Sequence, residues 1–163
     1  MNALDQEDQW HLRAADGWLG LGNHLEANAE LEEIRAEVRG HPAVLAVRWQ
    51  IYAAAKKWEG ALEIASALVQ MCPESCLGWI HRSYTLHELK RTAEARDNLL
   101  RVVDKFLDNT TVRYNLACYE CQLGRFAQAR AWLEKAFKLG DASELKLAAL
   151  DDPDLAPLWR ESV

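Results

Sequence analysis

Nowhere does this sequence run to the ~20 uncharged apolar residues that a membrane-spanning helix requires. Its apolar stretches are short and broken by charges, so no membrane association is expected. The segment from Met1 to Trp10 carries acids where a secretory leader would carry bases followed by an apolar run. The expectation is a soluble cytoplasmic chain. Positive charge is in deficit too: 19 Lys and Arg stand against 25 Asp and Glu, a formal charge of -6. A surface that tracks phosphates needs the opposite balance, so nucleic acid is not an expected partner. The acids lie in mixed runs such as Glu30, Glu32, Glu33 and Glu37, with Arg35 and Arg39 within helical reach, the pattern of a solvated helix face. Catalytic signatures are missing as well. There is no H-E-x-x-H, no G-x-S-x-G elbow, no phosphate-cradling glycine loop and no dinucleotide fingerprint.

What the sequence does contain is a period. Ala27, Ala61, Ala95 and Ala129 recur at a strict spacing of 34 residues, and Leu31, Ala65, Leu99 and Leu133 form the next column. Ile34, Leu68, Val102 and Ala136 form a third. Steps of four and then three residues trace one stripe of a helix, not the alternation of a strand. Upstream, Ala15, Trp49, Ser83 and Ala117 stand three residues before Trp18, Tyr52, Leu86 and Glu120, marking a first helix in every row. Between the two helices the chain must reverse, at Leu21-Gly22-Asn23-His24, Ala55-Lys56-Lys57-Trp58, Leu89-Lys90-Arg91-Thr92 and Leu123-Gly124-Arg125-Phe126. Gly22 and Gly124 suit a left-handed cap; Lys56 and Lys90 fall in the same column, so those turns either accept strain or close differently.

The alanine column has a geometric cause, since only a small side chain fits where two helix backbones approach to ~8 Å. Pro42 and Pro73 fall near second-helix ends, where a ring without an N–H cannot continue the helix. With 163 residues, 50% of them hydrophobic, the chain is long enough for one domain with a sizeable core. Hairpins that cannot bury their apolar faces alone must stack on their neighbours.

In these features the chain resembles the tetratricopeptide repeats. The fourth row carries the likeness best, in Asn115-Leu116-Ala117, Leu123-Gly124-Arg125-Phe126, Ala129 and Leu133-Glu134-Lys135-Ala136. The third supplies Trp79, Ser83, Ala95 and Leu99; the second Tyr52, Trp58, Ala61, Leu68 and Pro73; the first Ala15, Trp18, Gly22, Ala27 and Leu31. The resemblance implies an all-α fold, a right-handed superhelical stack of antiparallel helix hairpins. Its repeats would span about 8–41, 42–75, 76–109 and 110–143, followed by a capping segment over 144–163. Departures stand out beside the matches. Trp49 occupies a small-residue slot, which suggests a splayed second hairpin. Arg48, Arg82, Arg113 and Glu120 replace apolar or aromatic residues and are expected to keep wet heads on packed stems. In the cap, Ala142 to Leu150 reads as an amphipathic helix, and Asp152-Pro153 reads as the N-cap and first position of a short closing helix from Pro153 to Trp159.

Cys72 and Cys76 form a C-x3-C pair, and Cys118 and Cys121 a C-x2-C pair, which raises a four-thiolate zinc site. In stacked hairpins Cys76 opens one helix while Cys118 lies two turns into another, an offset of roughly 12 Å, against zinc–sulfur bonds of about 2.3 Å. No metal and no cofactor are expected, and the thiols read as reduced. Seven tryptophans are accounted for largely by repeat packing: Trp18, Trp58 and Trp79 fall in aromatic columns and Trp159 anchors the closing helix, while Trp10 and Trp132 do not.

By the resemblance, first helices line a groove. Its face would carry Ala46, Gln50 and Ala53 from the second row, Leu77, Ile80, Tyr84 and His87 from the third, and Tyr114, Cys118, Cys121 and Gln122 from the fourth. Asn115 lacks the cationic companions of a carboxylate clamp. Tyr84, Tyr114 and Ile80 suit an apolar or amphipathic peptide. The function this implies is a non-enzymatic interaction module holding a protein or peptide, with a possible homo-oligomer. A cytoplasmic secretion-type chaperone with an apolar client is the narrower alternative. From another class comes an enzyme using His81, Tyr84, His87 and Glu88. Along a helix, however, His81 and His87 diverge by about 120°, and His81 and Glu88 stand roughly 10 Å apart.

Overall fold

The computed structural model describes residues 3–160. Among the described residues there is no strand, only ten α-helices and one 3-10 turn. The four hairpins are α1 (Gln6–Gly20) with α2 (His24–Glu33), α3 (Pro42–Ala54) with α4 (Trp58–Met71), α5 (Cys76–Glu88) with α6 (Thr92–Leu100), and α7 (Thr110–Gln122) with α8 (Phe126–Leu139). The closing pair is α9 (Ala142–Asp151) and α10 (Ala156–Arg160). Two compact units result, Met1–Thr85 and Leu86–Val163, with α5 contributing to both.

Every hairpin closes in the same way, whatever residue sits at the bend. Gly22, Lys56, Lys90 and Gly124 have φ of 76°, 55°, 64° and 74°. One residue further on, the amides of Asn23, Lys57, Arg91 and Arg125 donate to the carbonyls of Trp18, Tyr52, Leu86 and Glu120 at 2.9, 2.8, 2.8 and 2.8 Å. The bend residues themselves donate to Leu19, Ala53, His87 and Cys121 at 2.9–3.0 Å. These paired bonds are a Schellman motif, which satisfies the last carbonyls of the first helix and demands a left-handed residue. The lysines therefore accept the strain.

Just beyond each bend, Ala27, Ala61, Ala95 and Ala129 are all 0% exposed. Leu31, Ala65, Leu99 and Leu133 lie beneath them in the core, and each leucine so buried contributes ~1.5–3 kcal/mol. Two further close approaches need glycine. A Cβ on Gly78 of α5 would stand 2.9 Å from the Val69 backbone nitrogen in α4, and one on Gly60 would stand 2.7 Å from the Tyr52 ring.

In the first unit the core runs through Ala15, Ala27, Leu31, Ile34, Val38, Val44, Val47 and Ile51. Its N-terminal edge is fixed by a capping box in which Asp5 and Asp8 each accept from the other's amide, at 2.9 and 3.1 Å. Asp8 is buried and also accepts from the Arg35 amide and Nε at 3.2 and 3.0 Å. The Arg35 guanidinium accordingly holds the Asp8 carboxyl well below the usual carboxylate range. In the second unit α8 and α6 pack on α7, α9 packs on α8, and α10 rests on α7 and α9.

Several expectations need correction. The third apolar column is helical only at Leu68 and Ala136; Ile34 and Val102 lie just past the ends of α2 and α6, although both stay buried. In the first row the Arg39 side chain donates to the carbonyls of Ile34 and Glu32 where α2 ends. Trp49 does not splay the second hairpin: it is buried, clusters with Ala61 and Ala65, and directs its ring toward α5. Arg113 does not keep a wet head. It is buried and donates to the carbonyls of Phe106 and Asn109 at 2.8 and 3.1 Å, tying down the turn before α7. Glu120 is buried as well, 3.9 Å from Arg125. The closing helix begins at Ala156, not Pro153, because Asp152 caps a turn: its Oδ1 accepts from the Asp154 amide at 2.9 Å.

Candidate functional site

Two first-helix faces carry the candidate residues, one in each unit. In the first unit Ala46 and Leu77 line an apolar recess of about 180 Å³ together with Pro42, Leu68, Cys72 and Gly78. Gly78 lets α5 approach α4 closely enough to shape its floor. Leu77 and Tyr84 are 42% and 41% exposed, large apolar surfaces two turns apart on α5. Tyr84 stands edge-on to Trp49 and Trp58, with ring centroids 6.2 and 6.0 Å away, so its ring is held while one side stays open. Ile80 and Ala53 are half-buried and Gln50 is exposed.

Behind Tyr84 the Trp49 indole lies flat on His81, at 3.7 Å between centroids and 6° between planes. The indole nitrogen donates to Thr85 Oγ1 at 3.0 Å, and that hydroxyl donates to the His81 carbonyl at 2.8 Å. Burial pushes the His81 pKa down to about 4, so the ring is neutral at pH 7. Its Nδ1 is buried without a hydrogen-bond partner. A neutral, sealed imidazole is poorly placed for proton transfer to an external substrate.

In the second unit the candidate residues meet the chain itself. Asp152–Leu158 crosses the face of α7, and we refer to it as the strap. Tyr114 Oη donates to Asp152 Oδ2 at 2.9 Å, and the Cys118 thiol donates to the same oxygen at 3.7 Å. His87 Nε2 lies 3.2 Å from Asp154 Oδ2, while its Nδ1 lies 3.0 Å from Thr92 Oγ1. A carboxylate only accepts, so Nε2 carries the proton. That hydrogen bond holds the Asp154 carboxyl below its ordinary range, with Lys90 assisting. Gln122 Nε2 donates to the Asp154 carbonyl at 2.7 Å, and Arg130 donates to the Leu158 carbonyl at 3.2 Å. Leu155 and Leu158 are 0% exposed, and Trp159 donates to the Ala149 carbonyl at 2.9 Å. Trp159 thus anchors the closing turn, as its position in the sequence suggested.

The same enclosure sets the chemistry of the thiols. Burial, followed by the nearby carboxylates, pushes Cys118 far up; burial also raises Cys121. Thiols so placed are weak nucleophiles. All four cysteines are free, and among the described residues no group of three or more His, Cys, Asp or Glu is placed to hold a metal. Nor, among them, is any helix long and apolar enough to cross a membrane.

Asp152, Asp154, Thr92 and Arg130 belong to this arrangement and are not among the residues assigned to the groove from sequence. The one signal was Asp152-Pro153-Asp154-Leu155, which reads equally well as a helix start.

No protein-family model and no curated protein matches the sequence. Solved structures do. A tetratricopeptide-repeat protein of Thermus thermophilus, TTC0263, superposes with a TM-score of 0.80 at 20% identity, over 95% of this chain and 82% of that one. PilF of Pseudomonas aeruginosa gives 0.79 at 20%, over 97% and 70%. MamA of Desulfovibrio magneticus gives 0.70 at 16%, over 98% of each. The fold is that of the tetratricopeptide-repeat α-solenoids.

Proposed function

We propose that this chain is a non-enzymatic, cytoplasmic interaction module that holds a peptide or protein segment on the faces of its first helices. One observation carries the reading: the α7 face already grips a peptide segment, the strap, by side-chain hydrogen bonds to its carboxylates and carbonyls and by burial of two leucines. The α5 face offers complementary features, an apolar recess at Ala46 and Leu77 and, two turns further along the helix, the supported ring of Tyr84. A partner's apolar side chain fits the recess, and an aromatic ring held by its neighbours binds with little entropy left to lose. Free thiols suit a reducing compartment. Catalysis is not part of the proposal, since His81 is sealed against Trp49 and His87 is engaged by Thr92 and Asp154.

The test is selection of peptides from a displayed random library on the immobilised full chain, followed by affinity measurements on Leu77→Ala and Tyr84→Ala. Selected peptides should lose about tenfold or more in affinity on either change, as truncating a central anchor does. A library that yields no binder, or binders indifferent to both changes, refutes the assignment of the α5 face.

A further inference from the structure

The strap reports the chemistry that the α7 face selects. The side chains that touch its carboxylates are donors, the Tyr114 hydroxyl, the Cys118 thiol and His87 Nε2; Gln122 Nε2 and Arg130 Nη2 donate to its backbone carbonyls, and the Cys121 sulfur meets the Leu158 backbone amide. The donors to carboxylates fall into two sets, Tyr114 and Cys118 on Asp152 and His87 on Asp154, spaced by the tight turn that Pro153 permits. Two apolar side chains follow, Leu155 and Leu158, both fully buried. Donors in two places followed by an apolar floor specify a doubly acidic turn leading into leucines. A segment without acceptor side chains at these two places would leave the Tyr114, Cys118 and His87 donors unanswered, and burying an unpaired donor is costly.

The strap is also built to be separable. Its polar contacts to the face run through side chains of α5, α7 and α8 and not through a backbone ladder. Within the strap itself there are only single-turn bonds, such as Leu155 N to Asp152 O at 3.1 Å and Leu158 N to Leu155 O at 2.9 Å. Its hold depends on being tethered through α9, which gives it a high effective concentration.

We propose that the face made by His87, Tyr114, Cys118 and Gln122 is a receptor for acidic-turn segments of the form Asp-x-Asp-Leu, that the strap is its resident intramolecular ligand, and that a partner segment of the same chemistry binds by displacing it. The proposal rests on the reading of first-helix faces as peptide-holding surfaces. It gives that reading a partner class and a gate. Against a tethered competitor at an effective concentration of ~1 mM, a free segment with an intrinsic affinity in the tens of micromolar binds roughly 10- to 100-fold more weakly than to an open face.

The experiment uses a dye-labelled peptide reproducing residues 151–160, titrated into the full chain and followed by fluorescence anisotropy. Wild type should bind weakly, and the full-length variant Asp152→Ala/Asp154→Ala, whose own strap has lost its carboxylates, at least ~10-fold more tightly. Adding His87→Ala and Tyr114→Phe to that variant should abolish the gain, and a peptide with Asp152 and Asp154 changed to asparagine should fail to bind. Equal binding to wild type and the strap variant overturns the proposal, as does equal binding of the asparagine peptide. A wild-type dimer that dissociates on Asp152→Ala also overturns it, because the strap would then serve a second copy. Should the strap variant lose helicity, hydrogen exchange on wild type decides: excess peptide should strip protection from the amides of Asp154, Leu155, Ala156 and Leu158 alone, and unchanged protection rejects displacement. Failure here, with selected peptides still reading Tyr84, leaves the α5 face standing as a binding surface.

Discussion

Lys56 and Lys90 are side-chain-bearing residues held in left-handed backbone that glycine fills in the other two rows, and replacing them should stabilise the protein. The perturbation is Lys56→Gly, with Gly124→Ala as its mirror. Lys56 is exposed, and a Cβ on Gly124 would meet nothing within 4 Å, so the two changes act through the backbone and not through packing. A non-glycine residue pays ~1–2 kcal/mol to sit in this conformation. Glycine returns part of that through the larger entropy of its unfolded chain, ~0.4–1 kcal/mol. The difference leaves Lys56→Gly more stable by ~1 kcal/mol and Gly124→Ala less stable by a similar amount, or a shift of ~2–4 °C in melting temperature for a chain of this size. Urea unfolding followed by far-ultraviolet circular dichroism measures both, with an unchanged slope on urea as the control for an unaltered unfolded state. A neutral or destabilised Lys56→Gly protein would refute the reasoning, since the Schellman bonds at 2.8 and 3.0 Å are already formed with lysine and glycine can only relax them.

Three further outcomes follow from named contacts. Ala129→Leu, in the fully buried alanine column, should overpack the α7–α8 crossing and cost ~1–3 kcal/mol in the same urea assay, whereas a leucine accommodated without loss would mean the helices are not in close approach there. His81 binds its proton less readily folded than unfolded, so unfolding takes up a proton as pH falls through the window from 6.5 to about 4, and stability should decline across it by about 3 kcal/mol. His81→Phe, which retains a ring against Trp49, should flatten that decline in melting temperatures measured against pH. Asp8 acts in a separate window: its carboxyl is depressed by Arg35, so its contribution is intact above the ordinary carboxylate pKa of about 4 and is lost only below it. Asp8→Asn should therefore destabilise the protein at neutral pH and narrow the gap to wild type in strong acid.

The repeat was legible because helix packing imposes a period on small residues. Ala27, Ala61, Ala95 and Ala129 are buried for the same geometric reason, and a spacing of 34 in sequence shows it directly. The turn column was legible as well, except for what Lys56 and Lys90 do there, since either strain or another closure satisfies the same residues. Arg113 and Glu120 were misread because a charged side chain in an apolar column is usually solvated; the carbonyls that bury Arg113 belong to the irregular turn before α7, which no periodic pattern encodes. Trp49 was misread for a related cause. Its space comes from α5, with His81 as a flat partner and Thr85 as an acceptor, and such pairings between rows leave no mark on either row alone. The sequence places His87 on a third-row first helix and Tyr114, Cys118 and Gln122 on a fourth-row one, as α5 and α7 have them. It does not show that Asp152 and Asp154 return to meet them, because a contact between residues 38 and 67 positions apart depends on where α9 ends.

Whether the α7 face holds the strap is decided most directly by a double-mutant cycle on Tyr114→Phe and Asp152→Ala, read as unfolding free energies. A hydrogen bond from a hydroxyl to a carboxylate contributes ~1.5–3 kcal/mol, so the two losses should fall short of additivity by about 1 kcal/mol or more. Strict additivity would mean that the phenol and the carboxylate never meet.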